Sequence, residues 1–165
     1  MLASAAGLAI PFYAKHALAT LALPEGALRD FIYTQMIGGI IANLVWARLS
    51  ERRGSRAVIV ATTMLGVLAP VLALAVPALL PASVGVPLRT WAYAGVFLVL
   101  GVTMGGNWAG FTGYLMDLAP RQWYTTYVGF TNTAMALGAL MPVLGGALLD
   151  LTSYTVLLGL TALLL

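Results

Sequence analysis

The 165-residue chain has no cysteine, a single histidine and only five acidic side chains. The lack of cysteine excludes disulfides and thiolate metal sites and leaves the redox compartment unreadable. The lone His16 has no second His, Asp or Glu at ligand spacing, so no metal site is expected. An intramembrane enzyme needs a nucleophile–base pair or a metal cluster within hydrogen-bond reach. One histidine, no cysteine and no acid deep in an apolar run do not supply one, so no catalytic residue and no cofactor is expected. Charge is scarce as well. Only 8% of the residues are charged, where a soluble domain carries about 25%. The seven arginines and one lysine sit at the ends of apolar runs, without the basic–aromatic patch that would suit nucleic acid. No basic n-region precedes the first apolar run, so no cleavable signal peptide is evident.

What the chain does have is apolar length. It is 61% hydrophobic, with a mean hydropathy of +0.97. This composition cannot cover a water-facing surface, so the expected class is all-α: a polytopic transmembrane helical bundle embedded in a lipid bilayer. A crossing takes about 20 mostly apolar residues. Six candidate helices follow, over residues 2–23, 29–49, 57–80, 90–116, 124–149 and 155–165. No linker is long enough to divide them, so residues 1–165 form a single bundle. At a rise of about 1.5 Å per residue, the sixth stops about two thirds of the way across. A carboxylate and open carbonyls in hydrocarbon are costly, which implies a fragment truncated in its last helix. Lys15 follows Leu2 so closely that the first helix is expected to begin before Met1.

Orientation follows from the arginines. Arg48, Arg52, Arg53, Arg56 and Arg121 fall on one side, and Arg29 and Arg89 on the other, with Lys15 near a helix end. The positive-inside rule then makes the loops 50–56 and 117–123 cytoplasmic.

Polar residues recur within the helices. Thr103, Asn107, Gly110 and Tyr114 share one helical face, as do Gln35, Gly39 and Asn43, and Thr131 and Asn132 sit in the fifth run. A polar face in hydrocarbon needs a partner helix or a wet cavity. Interhelical hydrogen bonds, at about 0.6 kcal/mol each, would account for it as well as a solute path would. Lys15 either snorkels to the interface or counters an anionic solute. The pairs Gly101/Gly105, Gly106/Gly110 and Ala134/Gly138 allow close helix approach, and Pro70, Pro77 and Pro142 supply bend points.

The most informative stretch is Leu49-Ser50-Glu51-Arg52-Arg53-Gly54-Ser55-Arg56, a tight basic hairpin between two apolar runs. It resembles the weaker copy of a loop motif of the major facilitator superfamily, Gly-x-x-x-Asp-Arg-x-Gly-Arg-Arg. Ala47 stands at the first glycine, Glu51 at the aspartate, Arg52 at the arginine, Gly54 at the second glycine and Arg56 at the last basic position, while Ser55 departs from the arginine before it. A small residue at Ala47 lets helices approach. Glu51 suits a neighbouring helix's positive N-terminus, and Gly54 a left-handed turn. Tyr114–Arg121, Thr126–Thr133 and Gly145-Gly146 are similar to the tenth and eleventh helices of bacterial permeases of that family.

The resemblance implies helices seven to twelve of a twelve-helix secondary transporter of the bacterial inner membrane. It implies an N-terminal six-helix half as partner and alternating access of a small solute near the midplane. It also places Tyr13, Thr103, Asn107 and Trp108 on the central pathway. With Tyr114, these aromatics around a largely uncharged cavity suit an amphipathic or uncharged solute. A non-transporting membrane subunit or sensor on the same fold is the other class, distinguished by a closed, apolar interface. A channel finds no filter-type loop here.

Overall fold

Prolines and glycines punctuate this chain, and helices run between them. The computed structural model describes residues 8–165 apart from Ala82 and Ala139, and not the side chains of Arg121 and Leu137. The expected first helix, 2–23, thus begins on residues outside those described. Its described part is α1, Phe12–Leu21. There follow α2 (Ala27–Arg53), α3 (Ser55–Gly66), α4 (Leu68–Leu79), α5 (Val86–Leu118), a 3₁₀ turn (Arg121–Trp123), α6 (Tyr124–Gly138), α7 (Met141–Leu151) and α8 (Tyr154–Leu164). No strand occurs among the described residues.

Two pairs of these helices are single rods broken by proline. The proline ring collides with the carbonyl four residues back and offers that carbonyl no N–H. Pro70 is four residues beyond Gly66, where α3 ends. Pro142 is four beyond Gly138, where α6 ends. Among the described residues the helices therefore form six segments. Ser55–Leu79, Val86–Leu118 and Tyr124–Leu151 are long and apolar enough to cross a membrane. Pro77 sits inside α4, and Pro87 stands in the first turn of α5, where no N–H is needed.

α2 is long enough to span, roughly 40 Å by its rise, but its amides and terminal charges dilute its apolar content. It reaches further than 29–49 at both ends. The expected loop 50–56 consequently shrinks. Helix continues through Arg53 and restarts at Ser55, leaving Gly54 alone between them. Gly54 has φ 80° and ψ 166°, a region that side-chain-bearing residues avoid. Its N–H closes α2 on the Ser50 carbonyl at 2.8 Å, and its own carbonyl accepts from the Ala57 N–H at 3.2 Å.

α5 is the central post. In lipid, helices associate through close packing rather than the hydrophobic effect, and α5 supplies that closeness with glycine on two faces. Toward α2, a Cβ on Gly101 would meet the Gln35 carbonyl, and one on Gly38 would lie 2.7 Å from the Leu98 oxygen. Toward α3, Gly106, Gly110 and Gly113 receive Thr62, Val58 with Ile59, and Ser55 in turn. α2 runs alongside α5 in the same direction, and α3 in the opposite one.

The larger core cluster joins α1, α2, α4, α5 and α8. It contains Tyr13, Ala17, Phe31, Ala73, Tyr93, Phe97 and Leu158. Phe31 and Phe97 stack with centroids 4.6 Å apart. A smaller cluster of Ala42, Trp46 and Val58 ties α2 to α3. The indole of Trp46 donates to the Val102 carbonyl of α5 at 2.8 Å.

Candidate functional site

Two regions carry chemistry that a lipid-facing helix does not need. The first is the end of the bundle where the connections 50–56 and 117–123 lie. Ser55 opens α3 and is buried. Its hydroxyl donates to Asp117 Oδ2 at 3.0 Å, so a carboxylate from the end of α5 sits within one side chain of α3's first turn. Negative charge is stabilised there by the helix's free N–H groups. This alters the reading of the motif. Glu51 lies exposed on the last turn of α2, and Ala47 is exposed too, one residue beyond the buried Trp46 that makes the close contact. The acid at a helix N-terminus is Asp117, and Ser55, the departure from the motif, holds it. Arg52, Gly54 and Arg56 are exposed around this junction. Replacing Ser55 by Ala or Asp117 by Asn is expected to cost about 1 kcal/mol each. The double variant should cost little more than either, as read from thermal unfolding in detergent; additive losses would show that the two side chains do not interact.

The second region is a flank formed by α2 and α5. Gln35 is half-buried and donates from Nε2 to Met104 Sδ at 3.3 Å. Asn43, two turns further on, is exposed, with its Oδ1 against Gly105. Trp108 lies one turn beyond Met104 and is 74% exposed. Two amides, a thioether and an indole thus share one open flank.

The remaining sequence candidates do not join it. Tyr13 is buried in the core, and its backbone carbonyl accepts the Tyr93 hydroxyl at 3.0 Å. Thr103 is buried and bonds back to the Val99 carbonyl of its own helix at 2.9 Å. Asn107 turns to α3, where its Oδ1 lies 2.8 Å from Thr62 Oγ1. That hydroxyl also lies 2.9 Å from the Val58 carbonyl, and it has one proton to give. All these groups are served when Thr62 donates to Val58 and the Asn107 amide, turned over, donates to Thr62. These three side chains therefore belong to the packing of this bundle, not to its open flank. The face shared by Thr103 and Asn107 is real, but it meets α3 and the bundle's own backbone. Lys15 on α1 and Asn132 on α6 are exposed.

Sequence reasoning passed over Thr62 and Trp46, and gave Arg89 only a part in setting orientation. The signal for Thr62 was its register: Ser55, Val58/Ile59 and Thr62 recur at helical spacing against the α5 glycines. Arg89 is only 7% exposed, donates from a terminal guanidinium nitrogen to the Leu21 carbonyl at 2.8 Å, and its buried Nε has no partner among the described residues. It closes the C-terminal end of α1, where a cation is favoured. A cleft of about 330 Å³ opens nearby, lined by Pro24, Gly26, Ala27, Arg29, Asp30 and Thr90. It lies away from the Gln35–Trp108 flank, and Arg29 and Asp30 pair with each other in it at 3.1 Å. No group of His, Asp and Glu suited to a metal occurs among the described residues.

A helical bundle with membrane-length apolar rods, glycine-packed around one post and carrying amides on one flank, defines a membrane protein. The sequence matches the family model of the Major Facilitator Superfamily over residues 1–165, and the chain belongs to that family. Its members are transporters rather than enzymes, so membership implies membrane transport of a solute. The six helical segments agree with one half of the family's fold. No curated protein and no solved structure matches the chain.

Proposed function

We propose that the chain is the C-terminal six-helix half of a secondary active transporter of the bacterial inner membrane. It moves a small solute by alternating access, together with an N-terminal six-helix half. The observation that carries this reading is the flank of Gln35, Asn43, Met104 and Trp108. Amides turned toward hydrocarbon are costly, and they persist where a partner or a wet cavity serves them. Between two halves, this flank is one wall of a central cavity. An indole and two amides, with no ionised group among them, suit an uncharged or amphipathic solute. The contact between Ser55 and Asp117 brings the connections 50–56 and 117–123 to one end of the bundle, which supports the same cytoplasmic side for both.

The test is solute uptake by the full-length protein in liposomes, across a panel of uncharged and amphipathic solutes and under imposed gradients. Trp108→Ala and Asn43→Leu are expected to lower uptake at least about tenfold, about 1.4 kcal/mol in the barrier, with folded yield unchanged. Uptake of no solute under any gradient, or variants that transport normally, would sink the proposal.

A further inference from the structure

The cleft at the start of α2 belongs neither to the flank nor to the loop junction, yet a base and an acid line it. Arg29 and Asp30 meet there through one contact, Nε to Oδ1 at 3.1 Å. Successive side chains on a helix point about 100° apart, so neighbours in sequence do not face each other. The pair is a one-point contact, not a bidentate fork. The Arg29 side chain is 72% exposed, and an exposed pair of this kind contributes little, so a ligand can rearrange it readily. Among the described residues, the two terminal guanidinium nitrogens of Arg29 and the second oxygen of Asp30, Oδ2, have no partner.

The rest of the lining narrows what fits. The first N–H groups of α2 are spent, since Ala27, Leu28 and Arg29 turn theirs back to the carbonyls of Pro24, Glu25 and Gly26 at 2.9, 3.0 and 3.3 Å. The helix start therefore offers an anion little beyond the Arg29 side chain. Thr90 is 6% exposed and donates its hydroxyl proton to the Val86 carbonyl at 3.0 Å, so its oxygen has only acceptor capacity left. The lining thus supplies cationic donors, a carboxylate oxygen and a hydroxyl acceptor, with a formal charge of zero. A lone anion would meet Asp30, and a lone cation would meet Arg29. A zwitterion whose cationic end carries N–H groups satisfies both.

Depth in the membrane says where such a zwitterion comes from. By helical rise, Arg29 lies about 36 Å along α2 from Arg53. That exceeds the hydrocarbon core of about 30 Å and falls short of the whole bilayer, about 40–45 Å. With the connection 50–56 at one surface, the cleft sits among the headgroups of the opposite leaflet. Tyr33, one turn along α2, and Trp91, next to Thr90, are both exposed, at a depth that aromatic rings favour. On the same face of α2 as Arg29 run Tyr33, Ile37, Ile40 and Leu44, all exposed, a track for acyl chains. The cleft's volume of about 330 Å³ is at the small end of ligand pockets, about 300–1,000 Å³, and takes a headgroup with its chains left outside.

We propose that this cleft binds the headgroup of a zwitterionic phospholipid with a primary ammonium, the chemistry of phosphatidylethanolamine. Its phosphate takes the terminal nitrogens of Arg29, and its ammonium donates to Asp30 Oδ2 and Thr90 Oγ1. The proposal rests on the chain's place in a membrane, not on which solute it carries.

Native mass spectrometry of the full-length protein, delipidated and titrated with lipids of matched chains, tests it. Phosphatidylethanolamine is expected to bind at least about tenfold more tightly than phosphatidylcholine, whose ammonium has no N–H, and than phosphatidylglycerol, which has no ammonium. Arg29→Gln and Asp30→Asn should each erase that preference, while Asp30→Glu should keep it. Arg53→Gln, which removes an exposed cation at the other end of α2, should leave it intact. Glycerophosphoethanolamine, the same head without chains, should compete weakly. Equal binding of the three lipids, a preference for phosphatidylglycerol, or a preference that survives Arg29→Gln and Asp30→Asn would each overturn the proposal. So would loss of the preference in Arg53→Gln, or glycerophosphoethanolamine binding as tightly as the lipid, which would make the ligand a free solute.

Discussion

Gly101→Ala is expected to destabilise the bundle by about 3 kcal/mol, at the upper end of the cost of overpacking. The added Cβ would run into the Gln35 carbonyl, a backbone atom that cannot rotate aside. Either α2 withdraws from α5 or the crossing shifts along its whole length, and both moves disturb the flank that carries Gln35 and Asn43. The same substitution six residues earlier is the control. Nothing lies within 4 Å of a Cβ built on Gly95, and Gly→Ala in a helix interior is worth about 1 kcal/mol of stabilisation. Gly95→Ala should therefore leave stability unchanged or raise it. Thermal unfolding of the two variants in detergent decides the matter. Equal effects at the two positions would mean that α2 and α5 do not approach as closely as described.

The second large effect is expected at Trp46. Its ring is 6% exposed and lies over Gly106, and its indole N–H reaches the Val102 carbonyl. Trp46→Ala empties a volume that α2, α3 and α5 all border. In water-soluble cores such truncation costs about 3–5 kcal/mol. Lipid tails are as apolar as leucine, so the transfer part shrinks while the lost packing remains, and about 3 kcal/mol is expected here. Trp46→Phe keeps most of the ring and loses the hydrogen bond, for about 1 kcal/mol. The ratio of the two losses, read from thermal unfolding in detergent, separates packing from hydrogen bonding. If Phe cost as much as Ala, the hydrogen bond to the Val102 carbonyl would outweigh the packing of the ring.

Much of the architecture was legible because it rests on local chemistry. Apolar runs bounded by Pro24, Gly54, Pro81 and Pro120 mark the segments, and Pro70 and Pro142 mark the breaks within two of them. The glycine spacing of α5 announced close neighbours. What the spacing could not supply was the identity of each neighbour. Thr103 and Asn107 share a face in any helix, but only tertiary packing turns that face toward α3 and leaves Trp108 outside. The loop motif shows the same limit. Residue by residue, Ser55 counts as a departure, yet it is the side chain that meets Asp117, sixty-two positions away. Trp46 gave no signal either, and His16 stood out only as a lone histidine without metal-ligand partners. An aromatic residue in an apolar run looks like any other, and the role of a single histidine depends wholly on who sits beside it.

The junction at Gly54 bears on how the protein enters its membrane. With a single residue between them, α2 and α3 cannot be handed to the bilayer separately; they partition as a helical hairpin. α2, with its two amides and its charged ends, is a reluctant lodger by itself. The Ser55–Leu79 rod is strongly apolar, and its favourable transfer is shared across the pair. Lengthening the turn would uncouple the two, and the amide-bearing helix would then have to enter the bilayer on its own apolar content.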